Sequence, residues 1–131
     1  MNNFEKMLLF LKSEPLNEMA VLSPDQHNFD VDVKIHILKE HEEQKLRHSP
    51  RIKVYKKFNE QNFTISITDE PKVIGRYKDV VSTKELNHLI ECVVKFKMPL
   101  LNYFYDVTYQ KYDMIIDIQS IEEGDEVEKR Y

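Results

Sequence analysis

Hydrophobic and polar positions alternate along much of the stretch between residues 29 and 70. Phe29, Val31, Val33, Ile35 and Ile37 hold the odd positions, and Asp30, Asp32, Lys34 and His36 the even ones. A side-chain period of two puts one face of an extended chain in a core and the other in solvent, so the pattern predicts a strand from Phe29 to about Leu38. The pattern recurs in Ile52, Val54 and Phe58 with Arg51, Lys53 and Lys57 between them, and in Phe63, Ile65 and Ile67 against Thr64, Ser66 and Thr68. Residues 59–62 join the last two runs through a polar connection of hairpin length that lacks the usual glycine. The three runs therefore make an antiparallel meander with one apolar side.

On either side of the meander the period changes. Phe4, Met7, Leu8 and Leu11 predict an amphipathic helix over residues 3–13, with Asn2 or Asn3 as its cap and Pro15 as its stop. Residues 16–28, with Pro24, Asp25 and Asn28, read as a loop that can hold a short edge strand at 19–22. Residues 41–49 form a polar loop longer than a tight hairpin needs. Pro71 to Gly75 suggest a turn and a brief fourth strand. Ser82 stands three residues before Glu85, the spacing of a capping box, and Leu86, Leu89, Ile90, Val93 and Phe96 follow at helical spacing. Pro99 opens a second short helix, to about residue 109, that carries Leu100, Leu101, Phe104 and Tyr105. In residues 112–119, Met114, Ile116 and Ile118 alternate and favour a strand, although Ile115 makes the run apolar on both faces.

These elements compose an α+β domain over residues 1–121, an antiparallel meander of three or four strands with helices packed on one face. Residues 122–131 are a charged tail, expected to be disordered. The length of 131 residues suits one domain, and 41% hydrophobic with 32% charged residues suits a soluble one. The apolar run of residues 7–11 is too short to cross a bilayer, so no membrane partner is expected. A single cysteine allows no internal disulfide, and with no secretory signal the expected location is cytoplasmic. A net charge of −4 opposes wholesale binding of phosphate backbones without excluding a local basic patch. Gly75 and Gly124 are the only glycines, which removes glycine-rich phosphate loops, and no cofactor is called for.

Three groups of residues carry candidate chemistry. His41, His48 and Glu42, in the first hairpin loop, are a possible metal set and the basis of a metal-dependent enzyme reading. A solvated polar loop is the plainer account of them. Cys92 follows His88 by one helical turn, the minimum for an activated thiol, although a lone cysteine on an amphipathic helix is ordinarily a small packing residue. Arg51, Lys53, Tyr55 and Lys57 point one way from the second strand, with Arg47 before them, and such a face can grip phosphates and stack a base. Cross-strand pairing of these cations with Asp30 and Asp32 competes with that reading and is preferred to it.

At His48-Ser49-Pro50-Arg51-Ile52-Lys53-Val54, the chain resembles a family of small uncharacterised bacterial proteins. Their hallmark is a strand opening with His-x-Pro-His-x-His-Val, and they are often encoded beside toxin–antitoxin or mobile-element genes. The likeness runs over residues 33–105 in the order of elements. His48, Pro50 and Val54 match, while Arg51 and Lys53 replace the strand histidines and cannot serve as ordinary metal ligands. The resemblance implies a compact α+β fold and a cytoplasmic, regulatory setting, and it supplies no activity. The expectation leans away from an enzyme, toward an interaction or regulatory module of a bacterial or mobile-element system that acts through a protein partner. Tyr105 and Tyr109 are candidate partner contacts, since tyrosine joins apolar area to a hydrogen-bonding tip. Nucleic-acid binding and self-association remain compatible with the sequence.

Overall fold

A computed structural model of the protein describes residues 19–40, 49–57 and 60–131. The helix expected over residues 3–13, the loop 41–48, Phe58 and Asn59 lie outside the described residues. Among the described residues five strands follow one another in a single antiparallel sheet: β1 (Met19–Leu22), β2 (Lys34–Leu38), β3 (Arg51–Tyr55), β4 (Asn62–Ser66) and β5 (Val73–Ile74), in that spatial order. One-turn helix α1 (Pro24–His27) lies between β1 and β2, and a 3-10 turn (Tyr77–Asp79) leads to α2 (Thr83–Lys95), α3 (Lys97–Tyr105) and α4 (Lys111–Glu122). The inward side chains Ile35, Ile37, Ile52, Val54, Phe63 and Ile65 meet Leu86, Leu89, Val93, Phe96 and Leu100 in one core. The protein is thus an α+β fold, and among the described residues no helix is long and apolar enough to cross a membrane.

The expected first strand is correct in its burial and wrong in its backbone. Phe29, Val31 and Val33 are buried while Asp30 and Asp32 are exposed, yet the ladder begins only at Lys34. Asn28 and Asp30 take φ of 56° and 57°, left-handed geometry that no strand accommodates and that Asn and Asp tolerate best. The buried His27 holds this kink: its Nε2 donates to the Val33 carbonyl at 2.8 Å and its Nδ1 accepts from Phe29 N at 3.0 Å. Both ring nitrogens are used, which defines a neutral imidazole.

The strand favoured for residues 112–119 is instead the middle of α4. Met114 and Ile118 are fully buried one turn apart and Ile121 packs beside them, whereas Ile116 is exposed, so the apolar period is helical and the alternation of Met114, Ile116 and Ile118 was incidental. Asp113 supplies the start, accepting from Gln110 N at 2.8 Å. The Ser82–Glu85 capping box of α2 forms as expected, with bonds of 2.9 and 3.1 Å. α3 begins at Lys97, two residues before the expected Pro99, and ends at Tyr105.

The end of α3 is closed by a residue from the sheet. Lys39, just past β2 and 5% exposed, donates from Nζ to the carbonyls of Tyr103, Asp106 and Tyr109 at 2.7, 2.6 and 2.5 Å. Its ammonium also lies 4.0 Å from the centroid of the Tyr103 ring. A cation on the carbonyls at a helix C-terminus satisfies orphan acceptors and complements the helix dipole. Burial pushes the Lys39 pKa down to about 8, which still leaves the ammonium dominant at neutral pH.

Two outcomes follow for stability. Lys39→Met removes the donor from three acceptors and should destabilise the protein by roughly 2–4 kcal/mol in urea unfolding; a loss below about 0.5 kcal/mol would show that the carbonyls do not depend on it. Burial holds the His27 ring below its ordinary value of 6.5. The unfolded chain therefore takes up its proton at higher pH than the folded one, so the contribution is complete above that value and is lost as pH falls below it. Unfolding at about pH 7.5 and 5.5 should show this slope, and His27→Gln should flatten it; an unchanged slope in the variant would assign it elsewhere.

Candidate partner-binding face of the sheet

Since α2, α3 and α4 cover one side of the sheet, the functional candidates of the strands fall on the other. The register sets Val21, His36, Lys53, Thr64 and Ile74 side by side across all five strands, and Lys34, Tyr55 and Asn62 in another row. Met19, Leu38, Arg51 and Ser66 occupy further outward positions. Among the described strand residues, none on this face is a carboxylate.

The expected pairing of Asp30 and Asp32 with the cations of β3 does not occur. The left-handed residues delay the ladder past both aspartates, so Lys34 stands opposite Tyr55 and His36 opposite Lys53. Arg51, Lys53 and Tyr55 of the proposed nucleic-acid set share this face of β3. Lys53 and Lys57 are exposed and Arg51 is half-buried, but Tyr55, the one aromatic of the set, is only 6% exposed and offers no ring to a base. Arg47 lies outside the described residues.

Between His36, Leu38, Arg51, Lys53, Thr64 and Ile74 the face sinks into a cavity of about 350 Å³. Gly75, at φ 103°, lies on its rim and turns the chain at the sheet edge. His36 Nε2 is buried and has no hydrogen-bond partner among the described residues, an uncommon condition for a native polar atom. Burial, then the charge of Lys53, holds its ring below the ordinary imidazole value. Around the cavity Met19, Leu38 and Ile74 are 43%, 37% and 57% exposed. Cations, an unpartnered imidazole and exposed aliphatic side chains thus share one surface.

The remaining candidates divide. His41, Glu42 and His48 lie outside the described residues, and among the described residues no group of three or more potential ligands could hold a metal ion. Cys92 Sγ is 3.7 Å from His88 Nε2 and 3.8 Å from the Phe29 carbonyl, and burial pushes the thiol up to about 11, so it packs as a neutral group. Tyr105 and Tyr109 differ in exposure: Tyr109 is fully buried with its hydroxyl donated to Asp117, while Tyr105 is 38% exposed. The sequence reading did not single out His36, although every outward residue after Asp32 in the first alternating run is basic or neutral. No protein family, curated protein or solved structure matches the chain.

In an NMR titration the His36 ring should protonate below the ordinary imidazole range, and Lys53→Ala should raise its midpoint. A midpoint at or above that of a free histidine would mean that the ring is neither buried nor repelled.

Proposed function

We propose that the protein is a non-enzymatic interaction module, regulatory in role, whose sheet face opposite the helices docks a partner protein through a segment carrying both carboxylates and aliphatic side chains. The observation that carries this reading is the row of His36 and Lys53 in a face whose described strand residues include no carboxylate, bordered by exposed Met19, Leu38 and Ile74. A carboxylate entering the cavity meets Lys53 and the unpaired Nε2 of His36, while aliphatic neighbours cover the exposed apolar side chains. The burial of Tyr55 favours a protein over a single-stranded nucleic acid, which needs an accessible aromatic for stacking. The regulatory, mobile-element setting rests on the resemblance at His48, Pro50 and Val54.

A labelled amphipathic peptide of Glu and Leu, a Lys and Leu counterpart and an oligothymidylate serve as probes. The acidic peptide should bind, Lys53→Glu and Ile74→Asp should each weaken it about tenfold, and binding should tighten as pH falls, because a carboxylate beside His36 makes the complex hold a proton that the free protein releases. Preference for the oligonucleotide, or binding by both variants as tight as that of the unaltered chain, would overturn the proposal.

A further inference from the structure

A second surface, remote in sequence from the sheet face, already holds a ligand of sorts. Gly124, at φ 94°, ends α4: Asp125 N donates to the Ser120 carbonyl at 2.9 Å and Gly124 N to that of Ile121 at 3.0 Å, the bond pair of a left-handed helix stop. The turn sends residues 125–131 back toward α3. There Asn102, fully buried, spends both ends of its side-chain amide on the passing backbone. Its Nδ2 donates to the Glu128 carbonyl at 2.8 Å and its Oδ1 accepts from Arg130 N at 2.9 Å. Bonds to residues two apart are what a neighbouring strand would make, so Asn102 reads an extended backbone whatever its side chains.

Side chains add selectivity. The Arg130 guanidinium lies 5.2 Å from the centroid of the Tyr109 ring, and the Tyr131 ring 4.5 Å from that of Tyr105. Asp106, held below the ordinary carboxylate range by Thr108 and, to a smaller degree, by Lys39 and Arg130, sets negative charge near the guanidinium. Otherwise residues 125–131 are exposed apart from the half-buried Val127. The segment is therefore a strap hinged at a glycine, and the groove beneath it has a buried amide that needs an extended occupant.

We propose that the surface around Asn102, Tyr105 and Tyr109 is a receptor for an extended segment in which a basic residue precedes an aromatic one. Residues 128–131 fill it in cis, and a partner protein presenting such a segment displaces them. This site is independent of the sheet face.

The probe is a labelled peptide of residues 125–131, added to the full chain and to a full chain weakened in its own strap by Arg130→Ala and Tyr131→Ala. The strap variant should bind the peptide at least about tenfold more tightly than the unaltered chain. Adding Asn102→Ala or Tyr105→Ala should reverse that gain, and a scrambled peptide should not bind. Tyr105→Ala, a change at a half-exposed side chain, keeps the test valid if Asn102→Ala fails to fold. Equal binding by strap variant and unaltered chain, equal binding of the scrambled peptide, or an unaltered chain that elutes as a strap-dependent dimer would overturn the proposal.

Discussion

The two layers of the protein are locked together by one buried cation. Apolar contact between the sheet and α2 is non-directional, and area alone does not fix where α3 must stop or how the chain turns toward α4. Lys39 does so by gathering three carbonyls from the end of α3 and from the turn beyond it, while Glu40 N donates to the Phe104 carbonyl beside it at 2.6 Å. The charge is met by carbonyl dipoles and by the Tyr103 ring, with attraction from the carboxylates of Asp106 and Asp113 added to them. Such an arrangement specifies geometry more than it adds stability, because a misplaced turn would leave a buried ammonium without acceptors. The positions of Tyr105, Tyr109 and Asn102, and hence the surface crossed by the C-terminal strap, depend on this closure.

A second polar constraint sets the character of the opposite surface. His27 stabilises left-handed geometry at Asn28 and Asp30, and the consequence is a change of register rather than of burial. Had the strand started at Phe29, Asp30 and Asp32 would extend the outward row that carries Lys34 and His36, and the ladder could bring their charge against the cations of β3. The kink removes them from the ladder. The absence of these two carboxylates from the ladder beside β3 thus traces to the kink that a buried histidine braces.

Much of the architecture was legible because it follows from local spacing. The alternation in residues 29–38 identified the buried side chains correctly, and Ser82 with Glu85 marked the start of α2 to the residue. Where local spacing was ambiguous, it failed: residues 112–119 satisfy both a two-residue alternation and the helical pattern of Met114, Ile118 and Ile121, and only packing against α3 decides between them. The site was legible as a basic stretch in β3, but the burial of Tyr55 and the absence of opposing aspartates depend on tertiary structure. Lys39 and Asn102 left no trace at all. Their partners are backbone atoms 64–70 and 26–28 residues away, and backbone atoms carry no sequence signal.

The two candidate surfaces differ in one respect that orders them. Each contains a buried side-chain polar group able to recognise another molecule, His36 Nε2 on the sheet and the Asn102 amide beside α3. In the first the atom has no partner among the described residues, and in the second both atoms are satisfied by the chain itself. An unsatisfied buried nitrogen raises the free energy of the unbound state, so a partner that supplies its hydrogen bond gains affinity without first displacing anything. At Asn102 a newcomer gains only the difference between its own contacts and those of Arg130 and Tyr131, and must displace an occupant tethered at Gly124. On the proposed readings, the sheet face is suited to direct capture, and the strap site to a partner able to compete at high effective concentration.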